Sequence, residues 1–185
     1  EAATVTELTK FWLDYLDNDE LKVLYNIEIP VAKVLSEMEF VGVTVNTDYL
    51  VQLSKNMDSC LHKLERKIYD IADCGFNINS PRQVGEILFE KLGLKSKKKR
   101  VKGHYSTSAE ILEDLATDYE IARLILEYRK YSKLKSTYTD ALPALIDKDG
   151  RIHTTFNQTI TATGRLSSSN PNLQNIPIRT EEGNK

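Results

Sequence analysis

The segment Thr161-Ala-Thr-Gly-Arg165-Leu-Ser-Ser-Ser-Asn170-Pro-Asn172-Leu-Gln174-Asn175-Ile-Pro-Ile-Arg179 carries the densest chemistry in the chain. It sets two arginines among amides and hydroxyls, and Gly164, Pro171 and Pro177 punctuate it, so neither a regular helix nor an unbroken strand fits. The composition makes a shaped loop that offers hydrogen-bond donors. Purine N3 and pyrimidine O2 atoms accept hydrogen bonds in the minor groove of every base pair. Donors from Arg165, Asn172, Gln174 and Asn175 therefore suit a duplex of any sequence. The same residues also suit a polar turn with Asx caps.

A second chemical feature is charge. Lys91 to His104 holds Lys91, Lys95, Lys97, Lys98, Lys99, Arg100 and Lys102 with no acidic residue, in a chain of net charge -2. Lys97, Lys98, Lys99, Arg100 and Lys102 would clamp phosphates, each neutralised phosphate adding about -0.9 to the log–log salt dependence of binding. A charge run equally suits a solvated loop. Asn77, Asn79 and Ser80 precede one expected helix, and Ser106 and Thr107 precede another. Helix starts present unpaired amides and partial positive charge to phosphate oxygens, alongside ordinary capping. Arg129 and Lys133 are four residues apart on one helix face with Lys135 nearby, a pattern that a solvated face also explains.

Catalytic groupings are not visible. His62, His104 and His153 are isolated, and the adjacent pairs Glu113/Asp114 and Glu181/Glu182 do not share a face or lie in a terminal loop. There is no phosphate-cradling Gly-Lys-Ser/Thr loop and no nucleophile elbow. Cys60 and Cys74 are too few and too far apart for a metal site or redox pair, and read as reduced thiols. No apolar run reaches the ~20 residues that span a bilayer, so no membrane partner is expected.

These groups need elements to position them. Thr4-x-x-Glu7 reads as a capping box ahead of Leu8, Phe11, Trp12, Tyr15 and Leu16 at helical spacing. A second helical pattern runs from Leu21 to Met38, with a kink expected at Pro30 and a stop at Gly42. Asn46-Thr-Asp48 caps a long helix whose apolar stripe is Leu50, Leu53, Met57, Cys60, Leu61, Leu64, Ile68 and Ile71, ended by Gly75. Ser80 and Pro81 start a helix that buries Val84, Ile87, Leu88 and Leu92 and closes at Gly93. Thr107-x-x-Glu110 reads as another capping box, before Ile111, Leu112 and Leu115. A longer helix follows from Glu120 to Leu142. Asp147-Lys-Asp149-Gly150 then turns into Ile152, Thr154 and Phe156, with Thr159–Thr163 expected as the partner strand. The fold class is mainly α: an elongated antiparallel helical arm with a small β-hairpin at its base.

Several segments together resemble the thumb of a family A (DNA polymerase I type) DNA-directed DNA polymerase. They are Phe76-Asn-Ile-Asn-Ser80, Ile87-Leu-Phe-Glu90, Ser106-Thr-Ser108, Ile125-Leu-Glu-Tyr-Arg129, Leu134-Lys-Ser-Thr-Tyr-Thr-Asp140, Arg151-Ile-His-Thr154, Thr161-Ala-Thr-Gly-Arg-Leu-Ser-Ser168 and Asn172-Leu-Gln-Asn-Ile-Pro177. Order and spacing match from about Leu21 to Gly183. The resemblance implies residues 1–18 as the last helix of a preceding 3′–5′ exonuclease-type domain. Residues 19–147 would be the thumb with its base helices, and 148–185 the first strands and loop of the palm.

The resemblance also implies a partner, double-stranded primer–template DNA, gripped for template-directed synthesis in replication and repair. Backbone contacts would come from Asn77, Asn79, Ser80, Lys97, Lys98, Lys99, Arg100, Lys102, Ser106 and Thr107, with Arg129, Lys133 and Lys135 along the duplex. Arg165 would meet the minor groove at the primer-terminal pair with Asn172 and Asn175 beside it, and Arg179 would fall near the active-site floor. Two Mg2+ ions belong to the palm of such a polymerase, held by aspartates expected past Lys185. The chain itself would then be non-catalytic, working with the remaining palm, fingers and exonuclease-type domains in the cytoplasm, at the nucleoid. A stand-alone helical DNA-binding or interaction module derived from a polymerase is the competing reading. Asn170 stands where the family commonly carries aspartate, which touches only a turn cap.

Overall fold

The computed structural model describes residues 2–95 and 105–176. In chain order the elements are α1 (Ala2–Leu13), α2 (Asn18–Val23), α3 (Ile29–Val41), β1 (Val43–Thr44), α4 (Thr47–Ala72), α5 (Pro81–Gly85), α6 (Ala109–Ala116), α7 (Glu120–Leu134), β2 (Arg151–Ile152), β3 (Thr155–Asn157) and β4 (Ser167–Ser169). Wider π-turns follow α2, α5 and α7, at Leu24–Glu28, Glu86–Lys91 and Lys135–Thr139. The chain divides into two compact units, Asn46–Ala144 and Glu1–Val45 with Leu145–Lys185. The mainly α class holds, with small antiparallel strand pairs.

The Asn46–Ala144 unit is built on α4, which begins where the Asn46 Oδ1 accepts the Tyr49 N–H at 3.0 Å. Its buried stripe is Met57, Leu64, Ile68 and Ala72. The expected stripe drifts at its end: Ile71 is exposed and Ala72 is fully covered, because 3.6 residues per turn rotate the face away from a strict three–four repeat. The helix stops at Asp73, in the left-handed region at φ +50°, two residues ahead of Gly75. Lys91 Nζ donates to the Asp73 carbonyl at 3.0 Å and satisfies an acceptor left open at the helix end. Ile68, Ile78, Leu88, Leu112 and Ile125 are the fully covered centre of the core. Burial of each such side chain contributes roughly 1.5–3 kcal/mol.

The start of α6 differs from the expected capping box. Ser108 is the N-cap and makes no capping bond with its own side chain, whereas Thr107 is buried and faces inward. Its hydroxyl has long-range partners, described below, which displace the local capping bond.

In the other unit, α1 already runs at Ala2, so Thr4 lies inside the helix rather than at its cap. The capping box of this region belongs to α2. Asp17 Oδ1 accepts the N–H groups of Asp19 and Glu20 at 2.8 and 2.9 Å, and Glu20 Oε2 accepts the Asp17 N–H at 2.9 Å. The irregularity expected at Pro30 takes the form of the π-turn just ahead of it, where the Ile29 N–H reaches the Leu24 carbonyl. Widening that turn accommodates a proline ring that would crowd a regular helical carbonyl.

The expected hairpin is corrected. β2 pairs antiparallel with β1 (Val43 opposite Ile152), and β3 pairs antiparallel with β4 (Phe156 opposite Ser168). Thr159–Thr163 forms no strand. Ile160 is 71% exposed and has no core face to fill, while Ser168 turns inward opposite Phe156. The Thr161 hydroxyl donates to the Arg165 carbonyl and Gly164 takes φ +71°, so this stretch closes on itself as a turn. Glu39 of α3 anchors the strands: its carboxylate accepts the Phe156 N–H at 2.6 Å and its carbonyl lies 2.7 Å from His153 Nδ1. That carbonyl bond, with Asp149 at the other ring nitrogen, raises the His153 pKa above the ordinary histidine value.

Gly42 ends α3 at φ +67° and ψ -177°, a backbone region essentially restricted to glycine. A Cβ placed there would lie 2.7 Å from His153 Cε1 and 3.0 Å from the Ile152 carbonyl. Gly42→Ala is expected to destabilise the chain by about 1–3 kcal/mol from backbone conformation alone. Urea denaturation measures this, and an unchanged midpoint would contradict the account of the α3–β1 turn.

Candidate nucleic-acid interface

In the Asn46–Ala144 unit, two of the expected contact segments lie side by side because one residue of α7 binds both. Arg129 Nε donates to the Ile78 carbonyl at 3.2 Å and Nη1 donates to the Thr107 carbonyl at 2.8 Å. Nη2 lies 3.4 Å from the Thr107 hydroxyl, which itself donates to the Pro81 carbonyl at 3.4 Å. The turn before α5 and the segment before α6 are thus tied to each other and to α7. Burial lowers the Arg129 pKa from its usual high value, yet a guanidinium stays charged. The chain passes close at a second point, where Gly85 lies against Tyr105. A Cβ on Gly85 would sit 3.3 Å from the Tyr105 Cβ, so glycine permits the approach. Phe89 stacks on the Tyr105 ring with centroids 4.5 Å apart.

The turn before α5 is internally bonded. Asn77 Oδ1 accepts the Asn79 N–H at 2.9 Å, and the Asn77 N–H donates to Gln83 Oε1 at 2.6 Å. Ser80 Oγ accepts the Gln83 N–H at 3.4 Å as the N-cap, with Pro81 at the first helical position as expected. Asn79 Nδ2 donates to Ser132 Oγ of α7 at 3.0 Å. Asn77 and Asn79 are exposed, Ser80 and Ser106 half-buried, and Thr107 buried.

The basic residues divide into two kinds. Lys133 is exposed on α7. Lys135 is engaged within the unit: its Nζ lies 2.7 Å from Asp140 Oδ2 and 3.4 Å from Asp58 Oδ1, and its side chain is 19% exposed. Ser54 donates to the other Asp140 oxygen at 2.7 Å. The bond to Asp140 raises the Lys135 pKa, and the same bond lowers that of Asp140. Arg129 and Lys135 therefore serve the architecture of this unit. Lys97, Lys98, Lys99, Arg100 and Lys102 lie outside the described residues.

The other unit carries the amide-rich loop. Arg165, Asn172, Gln174 and Asn175 are all exposed, and Arg179 lies outside the described residues. The loop hangs from two buried hydroxyls. Thr154 Oγ1 donates to the Pro171 carbonyl at 2.7 Å, with the Ser169 carbonyl at 3.1 Å. Ser168 Oγ accepts the Leu173 and Gln174 N–H groups at 3.0 and 3.2 Å and donates to Asn172 Oδ1 at 3.4 Å. Gln174 Nε2 donates to the Leu166 carbonyl at 2.9 Å. The Asn170–Pro171 peptide is cis.

Four positioning residues, Ser168, Thr154, Gln83 and Ser132, are absent from the sequence-based site. Ser80-x-x-Gln83 has the form of a capping box and signalled Gln83. In Ser167-Ser-Ser169 nothing local distinguishes the inward serine, which only the pairing with Phe156 selects.

The model for the family described as "DNA polymerase family A" matches residues 47–185. The chain belongs to DNA polymerase family A. It is 50% identical over 170 residues to DNA polymerase I of Bacillus subtilis (strain 168), covering 91% of this chain and 19% of that protein. To DNA polymerase I of Geobacillus stearothermophilus it is 48% identical over 187 residues, covering 100% of this chain and 21% of that protein. The chain thus spans about a fifth of the length of these relatives. Among solved structures it is similar to the "POL domain of Pol1 from M. smegmatis complex with DNA primer-template and dNTP". There the TM-score is 0.80 at 41% identity, over 89% of this chain and 29% of that one. In the described residues of this family A chain, no group of three or more His, Cys, Asp or Glu is placed to hold a metal ion. No helix among them is long and apolar enough to cross a membrane.

Removing the Arg129 guanidinium strands the Ile78 and Thr107 carbonyls in a half-buried setting. Arg129→Met is expected to cost about 1–3 kcal/mol, and Arg129→Lys to recover little of it, because an ammonium cannot reproduce the fork. Lys133→Met at an exposed position is expected to stay within about 0.5 kcal/mol of the unsubstituted chain. Chemical denaturation of the three variants decides the matter. Equal stability of Arg129→Met and Lys133→Met would remove the structural role assigned to Arg129.

Proposed function

We propose that this chain is the duplex-gripping part of a DNA-directed DNA polymerase, holding primer–template DNA through its phosphates and minor groove during template-directed synthesis in replication or repair. The observation that carries the reading is the Arg129 joint. It sets two helix starts side by side with Asn77 and Asn79 exposed, in a family A chain whose solved neighbour is described as a complex with DNA primer-template and dNTP.

The two starts offer amides and hydroxyls to phosphate oxygens. Asn77, Asn79, Ser80 and Ser106 are the direct contacts on this reading. Lys133 adds an exposed charge, and Lys97, Lys98, Lys99, Arg100 and Lys102 a basic clamp. Arg129, Thr107 and Lys135 act indirectly, by holding that surface in shape. In the other unit Arg165, Asn172, Gln174 and Asn175 present donors to minor-groove acceptors common to all base pairs, and Arg179 follows them toward the catalytic centre.

By the same reading residues 1–18 close an exonuclease-type domain, 19–147 form the thumb and 148–185 enter the palm. The rest of the palm, the fingers and the exonuclease-type domain are the partners within the parent chain, which acts in the cytoplasm on nucleoid DNA. Mg2+ ions belong to that palm. Among the described residues no group of three or more His, Cys, Asp or Glu is placed to hold such an ion. The contribution of these residues to the reaction is to hold the primer end in register.

Affinity for a primer–template duplex is expected to fall steeply with salt and to vary little between unrelated duplex sequences. Replacing Lys97, Lys98, Lys99 and Arg100 together by alanine is expected to flatten the log–log salt dependence by about 0.9 for each phosphate no longer neutralised. Fluorescence anisotropy across a salt series on both proteins measures it. An unchanged slope, or strong preference for one duplex sequence, would contradict the reading.

A further inference from the structure

Among the described residues of the amide-rich loop, Ser168 is a side chain whose hydrogen-bonding capacity is filled entirely inside the protein. Its hydroxyl oxygen accepts from Leu173 N–H at 3.0 Å and Gln174 N–H at 3.2 Å, which occupies both lone pairs. Its proton is therefore directed to the remaining neighbour, Asn172 Oδ1, at 3.4 Å. The residue is only 7% exposed, and β4 holds it opposite Phe156. Water does not substitute readily at such a site.

The consequence falls on Asn172. Its Oδ1 also accepts the Gln174 N–H at 3.0 Å, and a backbone N–H can donate only to the oxygen of an amide, never to its NH2 group. The Gln174 N–H, shared between Ser168 Oγ and Asn172 Oδ1, and the Ser168 hydroxyl proton thus both hold Oδ1 inward. Asn172 is exposed, so the amide plane turns its Nδ2 and both N–H donors outward. Without those donors the amide would rotate freely and present its acceptor as often as its donors. Minor-groove edges carry acceptors at every base pair, and only a donor is useful there.

We infer that Ser168 is a positioning residue that, together with the Gln174 N–H, sets the orientation of the Asn172 amide, so that the loop offers a hydrogen-bond donor to the minor groove. The inference rests on the minor-groove reading given above and adds to it the residue that selects donor over acceptor. Ser168 does not touch the nucleic acid. It acts only through Asn172.

The test compares two duplexes of the same sequence, one natural and one with 3-deazapurines, which replace the N3 acceptor by C–H. Affinities are measured for the unsubstituted chain and for Ser168→Ala, Ser168→Thr and Asn172→Ala, with a thermal melt of each. The unsubstituted chain is expected to bind the natural duplex more tightly than the 3-deaza duplex, by about two- to tenfold for each minor-groove hydrogen bond that the loop makes to a purine N3. Ser168→Thr keeps the hydroxyl and is expected to keep that ratio. Asn172→Ala is expected to lower it by about two- to tenfold, the share of the one hydrogen bond that Asn172 makes, and Ser168→Ala to lower it part of the way, because the Gln174 N–H still reaches Oδ1. A general loss of stability lowers both affinities together and leaves the ratio unchanged, so the ratio separates positioning from folding.

Retention of the full ratio in Ser168→Ala would overturn the inference while leaving the minor-groove reading intact. If Ser168→Ala does not fold, retention of the ratio in Asn172→Ala, changed only at an exposed position, overturns it equally. A ratio of one in the unsubstituted chain would remove the minor-groove reading itself, and this inference with it.

Discussion

The fork of Arg129 is the interaction on which the Asn46–Ala144 unit arranges its surface. Three guanidinium nitrogens meet Ile78 and Thr107, residues that precede different helices and lie far apart in sequence. Such segments are irregular by composition, and their carbonyls need partners wherever water is excluded. A planar, permanently charged group with several donors satisfies them from one point. The core then fills in around the joint: the Ile78 side chain is buried, and the glycine at position 85 lets the Tyr105 backbone lie against α5. A positively charged side chain thus shapes this surface through its hydrogen bonds.

A related economy governs the buried hydroxyls of both units. Among the described residues the buried polar side chains are Thr107, Thr139, Thr154 and Ser168, and all except Thr139 tie down a loop proposed to meet DNA. Neutral hydroxyls suit this role, because burying one with its hydrogen bonds made costs far less than burying an ion. Exposed amides and arginine are then left on the outside of loops whose backbone is already satisfied. The division of labour is the same in each unit, with orienting groups inside and recognising groups outside.

The sequence disclosed the features whose causes are local. Asn46 and Ser80 cap the helices expected of them, and Gly42 ends α3, because each acts within a few residues of itself. The identities of the exposed donors Asn77, Asn79, Arg165, Asn172 and Gln174 were equally readable, since chemistry and turn composition suffice to pick them out. Features set by distant partners were not. Thr107 has the spacing of a capping residue but turns inward to Arg129 and Pro81. Lys135 reads as a free charge and is held by Asp58 and Asp140. β3 found its partner at Ser167–Ser169 rather than at Thr159–Thr163, because hydroxyl bonding inside the unit outweighs the alternating pattern.

The central claim is that the Arg129 joint makes the two helix starts act as one surface toward duplex DNA. Amide hydrogen exchange followed by mass spectrometry, with and without a primer–template duplex, tests it most directly. Exchange is expected to slow together in segments 77–84 and 105–112 of the unsubstituted chain, and in neither segment once Arg129 is replaced by methionine. Slowing in one segment alone, or in both regardless of the substitution, would contradict it.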